Sequence, residues 1–445
     1  MVRQLFDLFY AYGSLLNCEN DVATLVALHA LWYRNVFRWS VNGFTSKVIK
    51  TLRLNYAMMT TKSTLFRFVL IIGIVNLFAD FTYEGGRSIV GPFLAVLGAS
   101  GAIVGFVSGF GEFMGYALRS VSGYIADKTG KYWATTFAGY AINMFAVPAL
   151  ALAGNWPAAA LLMVMERTGR AIRRPAVEAM LSDTTKELGK GWVFGLNEAL
   201  DQVGATAGPL LVALILFLKG GYRTSFAILL VPALLCISTL TVAHSHYPQP
   251  RKLEKEKPRA SQTRGFSGAY WTYFAAGGLI AAGFTSFSLI SFHFQQAETV
   301  ANDTIPLLFA VAMATAAFTA LVFGRLLDKI GHAAAVVALG LSAFFAPFVF
   351  LGGLNLALIG MILWGVGTGA QDSLLKAVLT DVIPEGRRST GFGLFDTGFG
   401  TFYFIGNTAM GLLYDASIPA LIAFSIILQL AALPVFALAK ERAAK

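Results

Sequence analysis

The feature that most constrains the fold is a series of apolar runs, each about 20 residues long. Two of them extend from Phe137 to Leu152 and from Ala420 to Leu438. As an α-helix, a run of this length crosses a hydrocarbon layer of ~30 Å at ~1.5 Å per residue. The chain is 56% hydrophobic and only 13% charged, whereas a soluble domain carries roughly a quarter charged residues. The sequence therefore predicts an all-α, multi-pass membrane protein embedded in a lipid bilayer.

Twelve such spans can be placed along the chain. They are predicted near residues 65–84, 92–119, 133–153, 157–182, 192–218, 222–243, 268–293, 304–326, 332–351, 354–380, 389–413 and 416–439. The hydrophilic stretch His244 to Gly265, which contains three prolines, separates the sixth span from the seventh and is typical of a linker. We therefore expect four segments: an N-terminal extension at 1–58, a six-helix bundle at 59–243, a cytoplasmic linker at 244–267 and a second six-helix bundle at 268–445.

The N-terminal extension does not fit the twelve-span scheme, because its apolar run LVALHALWY is too short to span a bilayer. Two interpretations stay open. In the first, Met58 or Met59 is the true start, and a protein that begins at Met59 should insert and transport like the full chain. In the second, the extension is an interfacial helix whose bases, Arg34, Arg38 and Lys47, face lipid headgroups.

The basic residues are distributed unevenly between the two sides of the predicted membrane. Most Lys and Arg fall in the linker, at both ends of the twelve-span unit and in loops on one side, whereas Arg87, Lys219 and Arg223 fall on the other. Basic loops stay in the cytoplasm, so we expect both ends of the unit there, in a cell membrane such as the bacterial inner membrane. This distribution accounts for the net charge of +10 without a nucleic-acid partner.

Several chemistries are not expected. Cys18 and Cys236 are far apart and have no Cys or His at ligand spacing, so neither a disulfide nor a metal site is predicted. The chain contains no GxxxxGK[ST] phosphate loop, no nucleophile constellation and no cofactor motif. We therefore expect no cofactor and no enzymatic activity, and transport that is driven by a gradient.

A charged turn occurs twice. GYIADKTGKYW begins at Gly123 and GRLLDKIGHAA begins at Gly324, and the shared positions lie 201 residues apart (324 − 123 and 328 − 127). AMLSD and FGLNE in the first half recur as AVLTD and FGLFD in the second half. Two related six-helix bundles are typical of membrane transporters.

This turn resembles the loop signature of the major facilitator superfamily, Gly-x-x-x-Asp-Arg/Lys-x-Gly-Arg/Lys. The matching residues are Gly123, Asp127, Lys128, Gly130 and Lys131 in the first copy, and Gly324, Asp328, Lys329 and Gly331 in the second, where His332 takes the last basic position. The resemblance covers roughly residues 60–440. It implies twelve transmembrane helices in two pseudo-symmetric six-helix bundles, a monomer, and transport of a small-molecule substrate by alternating access.

The aspartates of the two turns are predicted to form a cytoplasmic gate. A carboxylate favours the positive N-terminal end of a helix. Asp127 is expected to cap the eleventh span near Gly391, and Asp328 the fifth span near Gly195, when the cytoplasmic side is closed. In the alternative interpretation both are ordinary turn residues.

A second family signature lies on the fifth span, Gly-x8-Gly-x3-Gly-Pro. It is met by Gly195, Gly204, Gly208 and Pro209. In the family this motif marks exporters that exchange substrate for protons, although Val212 and Ala213 stand where the family pattern continues with a glycine pair. The alternative is generic close packing of helices by small residues.

Ionisable residues inside the membrane are costly and indicate functional sites. The candidates for proton coupling or for the substrate cavity are Asn76, Asp80, Glu84, Glu112, Glu166, Arg167, Arg170, Glu198, Asp201, Asp372 and Asp396. Asp80 is the predicted proton carrier, with Glu84 as the less buried candidate, because a carboxylate at the depth of Asp80 loses hydration and the neutral form becomes favourable. Alternatively, Asp80 forms a permanent ion pair with an arginine of the fourth span. His293 is predicted to be a solvated residue at the end of the seventh span.

The sequence thus favours a proton-coupled exporter, that is, an antiporter. DFTYEGGRSIVGPFL, in the first-span region, also resembles a bacterial branch of efflux permeases. A proton-coupled importer of a small nutrient or organic anion, a symporter, is the alternative. A membrane enzyme or receptor is a remote third possibility.

Overall fold

All regular structure in the described part of the chain is helical. The computed structural model describes residues 44–248, 265–331, 333–384 and 387–443. Much of the predicted N-terminal extension and of the linker, and His332, lie outside the described residues. Thr64–Lys445 form one compact unit.

The first half contains seven helices. They are α1 (Phe44–Val96), α2 (Gly101–Thr129), α3 (Tyr132–Ala149, continued by a 3-10 turn at Leu150–Leu152), α4 (Trp156–Leu188), α5 (Lys190–Phe217), α6 (Tyr222–Ile228) and α7 (Leu230–His246).

The described part of the second half contains nine. They are α8 (Gly268–Gly283), α9 (Phe287–Gln296), α10 (Thr304–Ile330), α11 (Ala333–Ser342), α12 (Phe345–Phe350), α13 (Leu354–Gly369, followed by a π-helical segment at Ala370–Leu374), α14 (Leu375–Val382), α15 (Arg388–Ala416) and α16 (Ile418–Ala443).

Ten helical spans among the described residues are long and apolar enough to cross a membrane, and they match ten of the twelve predicted spans. The fourth and eleventh predicted spans correspond to α4 and α15. These helices are 33 and 29 residues long but less apolar, because they carry many charged or polar side chains. The predicted fold class, an all-α membrane protein, is confirmed.

The first span is longer than the sequence indicates. The prediction ends it near Glu84 and leaves Arg87 in a loop, but α1 continues through Pro92 to Val96. The physical reason is burial: Ile89, Phe93 and Leu94 are at most 2% exposed, and their apolar side chains keep this segment helical against the core. Arg87 is therefore carried on a helix within the protein.

The seventh span is divided into α8 and α9. The break at Phe284–Ser286 is bound by Asn407 of α15, whose amide donates to the carbonyl of Phe284 (3.2 Å) and accepts from the backbone N–H of Ser286 (2.7 Å). The hydroxyl of Ser286 accepts from the N–H of Leu289 and caps α9. The break places serine hydroxyls beside the cavity described below.

The apolar core differs between the two ends of the helices. We call the end with the turns at Gly130 and Gly331 the turn end, and the opposite end the far end. At the far end one cluster of buried side chains spans both halves and includes Phe93, Phe226 and Phe292. Towards the turn end there are two clusters, one in each half.

Candidate functional site

A cavity lies between the two halves. Helices α1 to α4 contribute most of its lining, including Tyr83, Arg87, Ser108, Glu112, Glu166 and Arg167, and the second half contributes Ser286, Ser288 and Tyr403. All the formally charged lining residues therefore come from the first half, and the second half supplies hydroxyl groups. A concave site with a few convergent polar groups is the usual setting for a small-molecule ligand.

The charged residues of the cavity form a chain of ion pairs. Arg167 lies at its centre, with Nη2 3.0 Å from Glu112 Oε1 and Nε 3.4 Å from Glu166 Oε2. Arg87 joins Glu84 (3.4 Å) to the same Glu112 (3.9 Å). Buried charges are tolerated when they are paired and hydrogen-bonded, so this arrangement explains how the first half can hold several charges within the membrane.

Some polar atoms at this site have no protein partner. Ser108 Oγ and Arg167 Nη1, both from lining residues, and Glu84 Oε2 are buried and make no hydrogen bond to the described residues. Because an unsatisfied buried polar group costs roughly 1–3 kcal/mol, these atoms favour a polar ligand. Together they offer one donor, one acceptor and one hydroxyl group.

The candidates on α1, Asn76, Asp80 and Glu84, belong to two networks. Glu84 belongs to the cavity through Arg87, whereas Asn76 and Asp80 face α4 and α5. Asn76 Oδ1 accepts from Arg173 Nη1 (3.3 Å) and from the hydroxyl of Tyr140. Arg173 Nη2 lies 3.7 Å from Asp80 Oδ1. This geometry corresponds to the second alternative for Asp80, the ion pair with an arginine of the fourth span.

The arginines of α4 have different partners. Arg170 stacks on the ring of Tyr83, with its guanidinium carbon 4.3 Å from the ring centroid. Arg173 stacks on Tyr140 in the same way at 4.5 Å. Arg174 Nε lies 2.9 Å from Glu178 Oε1 at an exposed site. Arg167, Arg173 and Arg174 are thus paired with carboxylates.

The second network continues to α5. Asn76 Nδ2 donates to Asn197 Oδ1 (2.9 Å), and Asn197 Nδ2 donates to Asp201 Oδ2 (3.3 Å). No signal in the sequence pointed to Asn197 or to Tyr140, because neither side chain carries a charge at neutral pH and the partner of each lies on another helix.

The remaining acidic candidates lie towards the turn end. Glu198 is exposed and accepts from Gln202 (2.9 Å). Asp372 is exposed in the π-helical segment. Asp396 Oδ2 lies 3.9 Å from Arg119 Nη1 of α2, so this pair connects the two halves.

The glycines of the fifth-span motif pack α5 against α1. A Cβ atom on Gly204 would lie 3.0 Å from the backbone nitrogen of Phe81, and one on Gly208 would lie 2.9 Å from that of Gly85. Pro209 lies within the continuous helix α5. Gly195 has no described neighbour within 4 Å of such an atom. Two glycines of the motif thus allow close contact of helices.

The charged turns have the geometry that their glycines indicate. Gly130 and Gly331 follow the ends of α2 and α10 with φ of 67° and 63°, a conformation that L-residues rarely adopt. The carboxylate of Asp127 is exposed and accepts from the hydroxyl of Tyr132 in the same turn (3.0 Å). Gly123, Gly324, Lys128, Lys131 and Lys329 lie on the same two segments, and the side chain of Asp328 is outside the described part.

The far end is closed by contacts that the sequence did not reveal. Asp415, at the end of α15, accepts from the backbone N–H groups of Gly101 (2.9 Å) and Ala102 (2.8 Å), the first residues of α2. The hydroxyl of Tyr222 donates to Gln295 Oε1 (2.5 Å). These contacts join the first half to the second.

The prediction for His293 is wrong. Its side chain is 3% exposed rather than solvated, and its Nδ1 lies 3.2 Å from the hydroxyl of Tyr414. The reason is that α9 is packed inside the far-end core, where Phe350 and Tyr414 surround the imidazole ring.

The family model of the Major Facilitator Superfamily matches residues 72–299 and 289–445. The chain belongs to this superfamily. Its predicted resemblance is therefore confirmed, and it is a multi-pass membrane transporter of the family.

Two relatives of this major facilitator protein extend over most of its length. An uncharacterized protein of Mycobacterium tuberculosis is 38% identical over 373 residues, which cover 82% of this chain and 91% of that protein. An uncharacterized MFS-type transporter of Methanocaldococcus jannaschii is 27% identical over 380 residues, which cover 78% and 89% of the two chains.

Solved structures share the fold at low sequence identity. A mutant of the nucleoside transporter NupG has a TM-score of 0.69 at 13% identity, covering 83% of this chain and 100% of that one. A bacterial homologue of the human lysosomal transporter Spinster, in an inward-facing and unoccupied conformation, has a TM-score of 0.65 at 14% identity, covering 85% and 96%.

Proposed function

We propose that this major facilitator protein is a secondary active transporter that exports a small polar molecule in exchange for protons. It acts as a monomer in a cell membrane, with both ends of the twelve-span unit in the cytoplasm, and we assign no enzymatic step to it. The observation that carries the proposal is the cavity between the halves, where ion pairs of the first half face hydroxyl groups of the second.

The cavity has the chemistry of a reversible binding site. Arg167 Nη1, Ser108 Oγ and the nearby Glu84 Oε2 have no hydrogen-bond partner among the described residues, so a substrate with both donor and acceptor groups would satisfy them. Arg167 is held between Glu112 and Glu166, and this pairing fixes its guanidinium group before the substrate arrives. A site fixed in advance loses less entropy when it binds.

Alternating access is supported by the difference between the two ends. The far end is closed by a core common to both halves, whereas the cores are separate towards the turn end. A substrate would therefore reach the cavity from the turn end in this conformation, which is the predicted cytoplasmic side.

Exchange for protons is supported by buried carboxylates beside the cavity and by the contact of α5 with α1 at Gly204 and Gly208. Both buried networks involve α1, which carries Asp80 in the network that reaches α5 and Glu84 in the network of the cavity. The same residues would serve a symporter, so import is the competing direction.

The test is a substrate screen in proteoliposomes with an imposed pH gradient of either sign. With an acidic interior, an antiporter accumulates substrate while protons leave. With an alkaline interior, a symporter accumulates substrate as protons enter. Accumulation only with the acidic interior is the expected result. Accumulation only with the alkaline interior would show that the protein is a symporter and would contradict export. Accumulation independent of both gradients would contradict coupling to protons.

Two matched variants locate the binding site. Glu112→Gln removes the charge shared by Arg87 and Arg167 and should abolish most of the accumulation. Glu441→Gln makes the same chemical change at an exposed position of α16 and should leave accumulation unchanged. Equal accumulation in the two variants would show that the substrate does not bind in this cavity.

A further inference from the structure

A carboxylate on α5 differs from the other ionisable groups of the buried networks. Several helical carboxylates whose side chains the structure describes are buried or half-buried, and all but one of these have an arginine within 4.0 Å. Those that do are Asp80, Glu84, Glu112, Glu166 and Asp396. Asp201 is the exception: its Oδ2 accepts from Asn197 at 3.3 Å, and its Oδ1 is buried without a hydrogen-bond partner among the described atoms.

The charged groups that face Asp201 do not supply a counter-charge. They are Asp80 on α1, Glu198 one turn earlier on α5, and Arg173 and Arg174 on α4. Arg173 is paired with Asp80, and Arg174 is paired with Glu178. The two other carboxylates repel a negative charge on Asp201, and both arginines are already engaged.

We propose that Asp201 is the proton-binding residue of the transporter, and that Asp80 stays ionised as the partner of Arg173. The inference rests on the proposed function, and it assigns the proton to Asp201 instead of Asp80, the residue that the sequence favours. A buried carboxylate without a counter-ion is stabilised by protonation, and Oδ1, which has no partner, is the oxygen that takes the proton.

The arrangement also shows how loss of the proton could be accommodated. Arg173 Nε is buried without a hydrogen-bond partner among the described atoms, while its other two nitrogens contact Asn76 and Asp80. When Asp201 releases its proton towards the turn end, its new charge attracts Arg173, and the two aspartates then share one guanidinium group. No other reactant is needed, because only a proton leaves.

The position of Asp201 connects this step to the conformational change. Helix α5 packs against α1 through Gly204 and Gly208, and it also packs against α10 of the second half. A change of charge on α5 therefore acts at a contact between the two halves. Asp80 lies in the first half and pairs there with Arg173.

Infrared titration of the purified full-length protein in lipid nanodiscs tests the proposal without a substrate. The wild-type protein should show the carbonyl band of a buried carboxylic acid at neutral pH, and the band should disappear as the pH is raised. It should be absent from Asp201→Asn, whereas in Asp80→Asn it should disappear at a lower pH than in the wild type, because Arg173 is then released from Asp80 and favours the ionised form of Asp201. A wild-type protein without the band, a band retained in Asp201→Asn, or a band lost only in Asp80→Asn would overturn the proposal.

Thermal stability provides the control for folding. Asn imitates the neutral form of Asp201, so Asp201→Asn should unfold within a few degrees of the wild type. Asp80→Asn leaves Arg173 without its ion pair and should unfold at a clearly lower temperature. The opposite order would overturn the proposal, even if one variant gave too little protein for spectroscopy. Failure of gradient-driven accumulation with an intact infrared result would instead count against the proposed function.

Discussion

Helices α2 and α15 run antiparallel along the contact between the two halves, and their two ends are built differently. At the far end their backbones touch: a Cβ atom on Gly105 would lie 2.9 Å from the Cα of Gly411. There Asp415 also caps the N-terminus of α2 with both carboxylate oxygens. Towards the turn end the pair is connected by Arg119 and Asp396 at 3.9 Å.

Each of the two helices carries, near its C-terminal end, a carboxylate that can cap the N-terminal end of the other helix. Asp415 lies at the C-terminal end of α15 and caps α2. Asp127 lies at the C-terminal end of α2, and its predicted target is the beginning of α15. In this conformation the first contact is formed, and Asp127 is exposed and bonded to Tyr132. Rocking of the two halves would form one contact as it breaks the other.

The largest effect is expected from a methyl group at the far-end glycine contact. Gly105→Ala places a Cβ atom against the backbone of Gly411 and Asn407, which cannot move aside unless the helices separate. Overpacking of this kind costs about 1–3 kcal/mol. The conformational equilibrium should shift about tenfold or more towards opening at the far end. The readout is faster labelling of Ser108→Cys by an impermeant maleimide added from that side.

The matched control for this substitution lies on the same pair of helices near the turn end. A Cβ atom on Gly393 would lie 3.0 Å from Ser120 Oγ, a single side-chain atom that can rotate away. Gly393→Ala should leave far-end labelling unchanged. Ala is the better helix former in both variants, so helix propensity does not explain a difference. Equal labelling of the two variants would contradict the close contact.

A smaller effect is expected when the far-end cap loses its charge. Asp415→Asn keeps the shape of the side chain but weakens its interaction with the positive end of α2, which is worth about 0.3–2 kcal/mol. Far-end opening should therefore increase by up to about thirtyfold. The shift should be larger at low ionic strength, because the site is partly exposed and salt screens it. A decrease in far-end labelling would exclude the cap.

The smallest effect, in the opposite direction, is expected at the turn end. Asp127→Asn removes the predicted cap of α15, which is absent from the present conformation, so only the alternative state loses stability. Far-end labelling should fall about twofold, since exposed charge–dipole contacts lie near ~0.3–1 kcal/mol. The measurement should be repeated with Asp328→Asn and with the double variant. Unchanged labelling in all three would leave both residues as ordinary turn residues.

The fold and the repeated turn could be predicted because they depend on local patterns. A membrane span is encoded by about 20 adjacent apolar residues, and a left-handed helix end is encoded by glycine. The prediction that Arg87 lies in a loop was wrong, because burial of Ile89 and Phe93, which keeps this segment helical, depends on contacts with other helices and not on the local sequence.

The partners within the site could not be predicted, because they are set by packing between distant segments. Asp415 binds backbone groups more than 300 residues away, and a carboxylate at a helix end looks the same in the sequence whether it meets solvent or another helix. Asp80 can be singled out from the sequence as a membrane carboxylate, but only the structure shows that Arg173 lies beside it and that Asp201 has no arginine partner among the described residues.

Alternating access requires opposite movements of the two ends, and pulsed electron–electron spin-resonance distances measure both movements in one protein. One pair of nitroxide labels at Val96→Cys and Ala416→Cys reports on the far end, and a second pair at Ile125→Cys and Ile330→Cys reports on the turn end. All four positions are exposed, and Cys18 and Cys236 are replaced by Ser in the background. In Asp415→Asn, we expect the far-end distance distribution to shift to longer values and the turn-end distribution to shift to shorter values. Two distributions that lengthen together, or that remain as in the wild type, would contradict alternating access through these two ends.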